Sequence, residues 1–178
     1  MIIHSESDML SFGEEFAKSL TFPAIIELVG DVGVGKTTFT RGLARGLGIR
    51  EPITSPSFTI SKRYSFPVDQ KCCKNYNNQD SQNTNKDNPT FGELIHYDFY
   101  RLDDPGLMSE DLLEAISDPL SVVVIEWGND VSSMLPESHY RLEFSLNPDG
   151  SRKIKNNFSE MELSDQINLS NLRLKGDK

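Results

Sequence analysis

Gly30-Asp31-Val32-Gly33-Val34-Gly35-Lys36-Thr37 decides how this chain folds. It satisfies Gly-x-x-x-x-Gly-Lys-[Ser/Thr] at every fixed position, the spacing of a loop that cradles phosphate. A triphosphate needs several main-chain N–H groups converging on its oxygens, and a glycine-rich turn lets the backbone come that close. The helix that follows adds its unpaired N-terminal N–H groups and the positive end of its dipole. In such a loop Lys36 reaches the β- and γ-phosphates and the Thr37 hydroxyl ligates Mg²⁺. The flanks agree. Ala24–Val29 reads as a mostly apolar buried strand, and Phe39, Leu43 and Leu47 fall on one face of a helix that Gly48 would end. Strand, loop, Lys-Thr and helix together predict a nucleotide site rather than a bare turn.

Length and composition set the bounds. The 178 residues suit a single domain, 1–178, and the formal charge of −9 argues against autonomous nucleic-acid binding, which relies on clustered Lys and Arg. Any RNA in the biology is expected to be held by another subunit. The sequence has no apolar run near the ~20 residues needed to cross a bilayer. Its start, Met-Ile-Ile-His-Ser-Glu, lacks the basic and apolar segments of a secretory leader. Cys72 and Cys73 are adjacent and have no metal-binding spacing. The expected location is the cytoplasm, without membrane association.

Along the chain, Ser5 is a candidate N-cap for a helix over 5–20 that carries Met9, Phe12, Phe16 and Leu20. In Thr54-Ser55-Pro56-Ser57-Phe58-Thr59-Ile60, Pro56 biases Ser55 toward extended backbone, and a strand is expected over 57–64. Hydroxyls placed there would meet Mg²⁺ or the γ-phosphate as a switch segment does, or form an ordinary turn. Residues 66–90 are poor in apolar side chains and read as a long mobile insert. Within it, Asn85-Lys86-Asp87-Asn88 imitates a guanine-reading Asn-Lys-x-Asp but lacks the final acid and a preceding buried strand.

Leu94–Arg101 alternates, with Leu94, His96, Asp98 and Tyr100 on one face and Ile95, Tyr97 and Phe99 on the other. Asp98 is either a magnesium-shell residue or a solvent-facing acid. A helix is expected over 107–116, with Leu112, Leu113 and Ile116 as its apolar contacts. Val122-Val123-Val124-Ile125 then reads as a central strand ending in Glu126. An acid at the carboxyl end of such a strand lies beside the ligand crevice, which makes Glu126 the second candidate partner of Mg²⁺. Trp127 is either core packing or a lid. Tyr140–Leu146, the turn Asn147-Pro148-Asp149-Gly150, and Arg152–Lys155 fit an antiparallel hairpin.

Taken together, Gly-Asp-x-Gly-x-Gly-Lys-Thr-Thr-Phe-x-Arg-Gly, Thr-Ser-Pro-Ser-Phe-Thr, His-Tyr-Asp-Phe-Tyr-Arg-Leu-x-Asp-Pro and Ile-Glu-Trp resemble the bacterial TsaE (YjeE) family. The likeness runs from about Gly30 to Trp127. It implies an α/β, P-loop NTPase-like fold: a central mostly parallel sheet with antiparallel additions and helices on both faces. It also implies ATP and Mg²⁺ as ligands, a TsaD–TsaB protein partner, and a part in threonylcarbamoyladenosine modification of tRNA, with tRNA met only through the complex. Carried over by motif, Lys36 contacts phosphate, and Thr37, Asp98 and Glu126 form the magnesium and catalytic neighbourhood. Thr38 extends the nucleotide-binding loop. Ser57 takes a switch position where relatives commonly have Thr, and Trp127 matches the aromatic residue after the acid. Gly128 stands where a proline is usual, and the insert is longer than relatives carry.

The expected chemistry is Mg²⁺-assisted ATP hydrolysis, weak in isolation and completed by a partner, with Asp98 or Glu126 orienting the attacking water. A small-molecule or nucleotide kinase is the alternative, but it would want an arginine-rich lid, and Arg141 and Arg152 are scattered. A third reading is a nucleotide-gated assembly factor that binds ATP without turning it over.

Overall fold

Ala24–Val29 is apolar at all but one position and forms β2, the strand from which the glycine-rich loop departs. The computed structural model describes residues 1–56, 59–68, 90–100 and 108–157. In chain order these give β1 (Ile2–Ile3), α1 (Glu6–Ser19), β2 (Ala24–Val29), α2 (Lys36–Gly46), β3 (Ser61–Val68) and β4 (Thr90–Asp98). There follow α3 (Ser109–Ser117), β5 (Ser121–Glu126), a 3-10 helix (Gly128–Met134), β6 (Tyr140–Leu146) and β7 (Arg152–Asn156).

The strands make one seven-stranded sheet ordered β1-β7-β6-β2-β5-β4-β3. Its inner members β6, β2, β5 and β4 are parallel, and β3 and β7 run antiparallel to their neighbours. This is the mostly parallel, mixed α/β sheet expected from the sequence. β5 is buried along its whole length, as a strand covered on both faces must be.

The two faces take alternate residues of each strand. Ala24, Ile26 and Leu28 of β2 join Leu94, Val122 and Val124 under α1 and α2. Ile25, Ile95, Tyr97, Val123 and Ile125 face α3 and the 3-10 helix. α1 is fixed locally as predicted: the Ser5 hydroxyl accepts the Asp8 N–H at 3.1 Å, and Glu6 and Asp8 lie in the first turn. Where α1 crosses α2 the backbones nearly touch. A Cβ on Gly42 would lie 2.2 Å from the Leu10 carbonyl oxygen.

Several boundaries differ from the sequence reading. The strand expected over 57–64 runs instead from Ser61 to Val68. Thr59 and Ile60 belong to a turn, both donating to the Pro56 carbonyl, and Ile60 has a φ of 66°. Phe66–Val68 and Thr90, at the ends of the stretch read as an insert, are paired strand residues. Residues 69–89, with Cys72, Cys73 and Asn85–Asn88, lie outside the described residues. β4 stops at Asp98, although the Phe99 N–H still reaches the Glu126 carbonyl at 3.0 Å; Arg101 lies outside the described residues. In α3, Leu112 and Ala115 are buried, whereas Leu113, expected as a core contact, is 48% exposed. Helical spacing puts it a third of a turn off the buried stripe.

β2 also holds an acid that an apolar strand reading passes over. Glu27 is buried, accepts Arg141 Nη1 at 2.5 Å, and lies 3.3 Å from His139 Nε2. Arg141 is therefore a structural partner of the central strand rather than a stray surface cation.

Candidate functional site

The chain between β2 and α2 turns at Gly30, Gly33 and Gly35, with φ of 144°, 82° and 110°. At Gly30 the reason is close approach as well as dihedral. A Cβ there would sit 2.4 Å from the Phe144 carbonyl oxygen of β6. Gly33 lies at the mouth of the turn, where an added Cβ meets nothing within 4 Å. Asp31 and Val32 are exposed, and Val34 turns its side chain into the core, so these three offer mainly main chain to a ligand. α2 starts with no side-chain cap and no acid in its first turn. Its first N–H groups thus point toward the loop without a carboxylate competing for them, which is the local chemistry of an anion site.

Lys36 opens α2 and is only 4% exposed. Its ammonium donates to the carbonyls of Gly30 at 2.7 Å and Asp31 at 2.9 Å. It lies 3.8 Å from Glu126 Oε2 and 4.7 Å from the centre of the Trp127 ring. Burial pushes the Lys36 ammonium below the ordinary lysine range, while Glu126, Asp98 and Asp31 pull it the other way.

The acids reach this loop through the sheet. Asp98 and Glu126 end adjacent parallel strands and are partners in register, and β5 lies between β4 and β2. Both therefore stand at the carboxyl edge from which the loop leaves, where ligands of open α/β sheets bind. Glu126 Oε1 accepts from Thr37 Oγ1 at 3.4 Å and lies 3.0 Å from His96 Nε2. Asp98 accepts the Ser55 hydroxyl on Oδ2 at 2.8 Å and the Tyr100 N–H on Oδ1 at 3.1 Å. Asp98 is buried rather than solvent-facing, as is Glu126.

Trp127 has a φ of 60°. For a bulky residue that conformation is an outlier with a cost of order 1–3 kcal/mol. It turns the ring back over Lys36 and against Tyr100, whose ring centre is 4.8 Å away. The same ring packs on the core layer beneath α3. Trp127 is wall and core together, not one or the other.

Of the residues singled out from the sequence, Gly30–Thr37, Glu126 and Trp127 meet around Lys36, and Asp98 stands one strand further along. Thr38 follows in the first turn of α2, half-buried. Ser57 lies outside the described residues. In its segment the hydroxyl seen at the site is that of Ser55. One side chain in this neighbourhood has no role in the sequence reading, His96; Ser55 belongs to the hydroxyl-rich segment read as a switch or an ordinary turn. His96 was detectable: it shares the strand face of Asp98, two residues away, and an imidazole amid Leu94, Ile95 and Tyr97 is out of keeping with its neighbours. The pairing of Ser55 with Asp98 has no comparable signal, because it spans 43 residues of sequence.

The donor set fits a hard divalent cation. Thr37, Asp98 and Glu126 supply only oxygen, the preference of Mg²⁺. Among the described residues no cluster of three or more His, Cys, Asp or Glu forms a cage for a metal.

Comparison with known proteins adds the family. The family model described as "Threonylcarbamoyl adenosine biosynthesis protein TsaE" matches residues 3–154. A relative from Bacillus subtilis (strain 168), "tRNA threonylcarbamoyladenosine biosynthesis protein TsaE", is 34% identical over 155 residues, covering 83% of this chain and 82% of its own length. A protein of the same name from Streptomyces coelicolor is 34% identical over 137 residues, covering 75% of this chain and 76% of the relative. One from Treponema pallidum is 31% identical over 157 residues, covering 86% and 96%. Among solved structures, the crystal structure of YdiB from Bacillus subtilis superposes with a TM-score of 0.65 at 22% identity, covering 96% of this chain and 94% of that one. At that identity the likeness speaks for the fold.

Proposed function

The chain belongs to the TsaE family of tRNA threonylcarbamoyladenosine biosynthesis, and from that premise we propose that it is a Mg²⁺-dependent ATPase assisting a TsaD–TsaB complex. The observation that carries the reading is the meeting of Lys36, Thr37 and Glu126 at one end of the sheet. Glu126 lies 3.8 Å from the Lys36 ammonium and 3.4 Å from the Thr37 hydroxyl.

In this reading the main-chain amides of Asp31–Thr37 and the uncapped start of α2 hold the phosphates. Lys36 exchanges the carbonyls of Gly30 and Asp31 for phosphate oxygens and stabilises charge on the transferring phosphoryl group. Mg²⁺, when bound, supplies charge neutralisation across the phosphate oxygens. Thr37 would offer it a hydroxyl oxygen, and Asp98, held by Ser55 and the Tyr100 N–H, would hold water in its shell. Glu126, set beside Lys36, orients the attacking water. Trp127 covers the ammonium, and Tyr100 packs against the Trp127 ring. The acidic charge of −9 supports contact with tRNA through partners rather than directly.

Steady-state ATP turnover tests the proposal, measured alone and with TsaD–TsaB. The expected result is Mg²⁺-dependent hydrolysis, faster in the complex and abolished in Lys36→Ala. Equal turnover by Lys36→Ala and wild type would refute the catalytic assignment. Failure to co-purify with TsaD–TsaB, with or without Mg²⁺ and ATP, would refute the partnership.

A further inference from the structure

His96 has no solvent exposure and sits in the parallel core of the sheet, on β4 beside β5. Nothing in the reading above uses it. Its Nε2 lies 3.0 Å from Glu126 Oε1. Its other ring nitrogen, Nδ1, is buried and has no hydrogen-bond partner among the described residues.

We infer that His96 is a positioning residue for Glu126: its Nε2–H anchors Oε1, leaving Oε2 turned toward Lys36 and the attacking water. The inference rests on the reading of Glu126 as the residue that orients that water.

In the proposed arrangement the ring Nε2–H donates and Glu126 Oε1 accepts, across 3.0 Å. In that tautomer Nδ1 is an acceptor, buried and without a partner among the described residues. A buried acceptor without a donor is unfavourable. The strand neighbours Leu94 and Ile95 are fully buried and apolar, and a leucine at 96 would carry no such nitrogen. What the imidazole adds over an apolar side chain is the bond to Glu126.

The two oxygens of Glu126 are thereby given different partners. Oε1 meets His96 and, at a marginal 3.4 Å, Thr37. Oε2 faces the Lys36 ammonium at 3.8 Å. Thr37 also has to offer its oxygen to the metal, whereas Nε2 of His96 has Glu126 as its partner on a central strand. His96 is thus the fixed point that sets the carboxylate's rotation. Partners of this kind, acting through a residue at the reaction centre, typically matter by about 10–100-fold when removed.

Two measurements on the full chain test this. Long-range ¹H–¹⁵N correlation of the histidine rings reads the tautomer without any turnover. The expected result is an Nε2–H ring for His96, with its resonances displaced in Glu126→Gln. An Nδ1–H ring would overturn the inference. Kinetics then separate geometry from packing. A Gln amide nitrogen reaches the place of Nε2, while an Asn amide nitrogen reaches only the place of Nδ1. His96→Leu and His96→Asn should therefore lower kcat by roughly 10–100-fold with little change in KM for ATP, and His96→Gln should recover most of it. Wild-type kcat in all three variants, or a loss confined to KM, would overturn the inference alone. A wild type that binds Mg-ATP without hydrolysing it would instead refute the hydrolytic reading and with it the kinetic role of His96.

Discussion

Replacing Gly30 and Gly33 separately by alanine distinguishes a loop built by close packing from one that merely contains glycines. At Gly30 two costs combine. Its φ of 144° is one that L side chains rarely adopt, and an added Cβ would lie 2.4 Å from the Phe144 carbonyl oxygen. The dihedral costs of order 1–3 kcal/mol. The clash is with backbone in the neighbouring strand rather than with a side chain that can swing away, and overpacking of that kind costs about 1–3 kcal/mol more. Gly30→Ala should thus lose about 2–6 kcal/mol, a large share of the ~5–15 kcal/mol available to a domain. Gly33 has a φ of 82° but open space around its Cβ position. Only the dihedral term applies, about 1–2 kcal/mol. Equilibrium urea unfolding, compared through the midpoint at constant m, measures both. Gly33→Ala should keep a folded chain, since the added methyl meets nothing within 4 Å. Equal stability losses for the two variants, or a larger loss for Gly33→Ala, would refute the packing argument.

Other consequences are as specific. Gly42→Ala should destabilise by about 1–3 kcal/mol in the same urea assay, despite alanine's helix preference, because its Cβ would meet the Leu10 carbonyl oxygen at 2.2 Å. A stabilised variant would contradict the observed α1–α2 crossing. Tyr97→Phe removes a phenol that donates to Asp111 Oδ2 at 2.5 Å and ties α3 to the sheet. It should lower stability by about 1–3 kcal/mol and speed amide exchange in α3, and unchanged exchange would rule out the tether. The depressed Lys36 ammonium gives two opposite pH trends. ATP needs the charged form, so affinity should fall as pH rises through the lowered Lys36 pKa. Stability of the ligand-free chain should rise with pH between that value and the ordinary lysine pKa, because the unfolded chain holds the proton more tightly there. Calorimetry and urea melts at several pH values check the signs, and Lys36→Met should flatten both.

What could be read in advance followed from the range of the interactions involved. The glycine-rich loop, the capped α1 and the apolar β5 are local patterns, and each was legible from spacing alone. Glu126 is legible as a strand-end acid and Asp98 only as an acid on one face of an alternating strand; the end of β4 at Asp98 and its register with β5 make them neighbours. The start of β3 was not, because the turn at Thr59–Ile60 depends on hydrogen bonds to Pro56 that no periodicity announces. Leu113 falls off the buried face because helical spacing carries Leu112 and Ala115 inward and turns its neighbour by about 100°. Glu27 hid in an apolar strand because its partners, Arg141 and His139, come from more than a hundred residues away. Ser55 reaches Asp98 across 43 residues of sequence, which is contact information that a linear pattern does not hold.

The claim beneath all of this is that Lys36 and the loop amides grip a nucleoside triphosphate. Titrating ATP with Mg²⁺ into the full chain by calorimetry tests it most directly, side by side with Lys36→Ala. The account predicts saturable one-site binding by wild type and its loss, by at least about tenfold in Kd, when a charge-assisted phosphate contact of ~1.5–3 kcal/mol is removed. No binding by wild type, or equal binding by both, would contradict it.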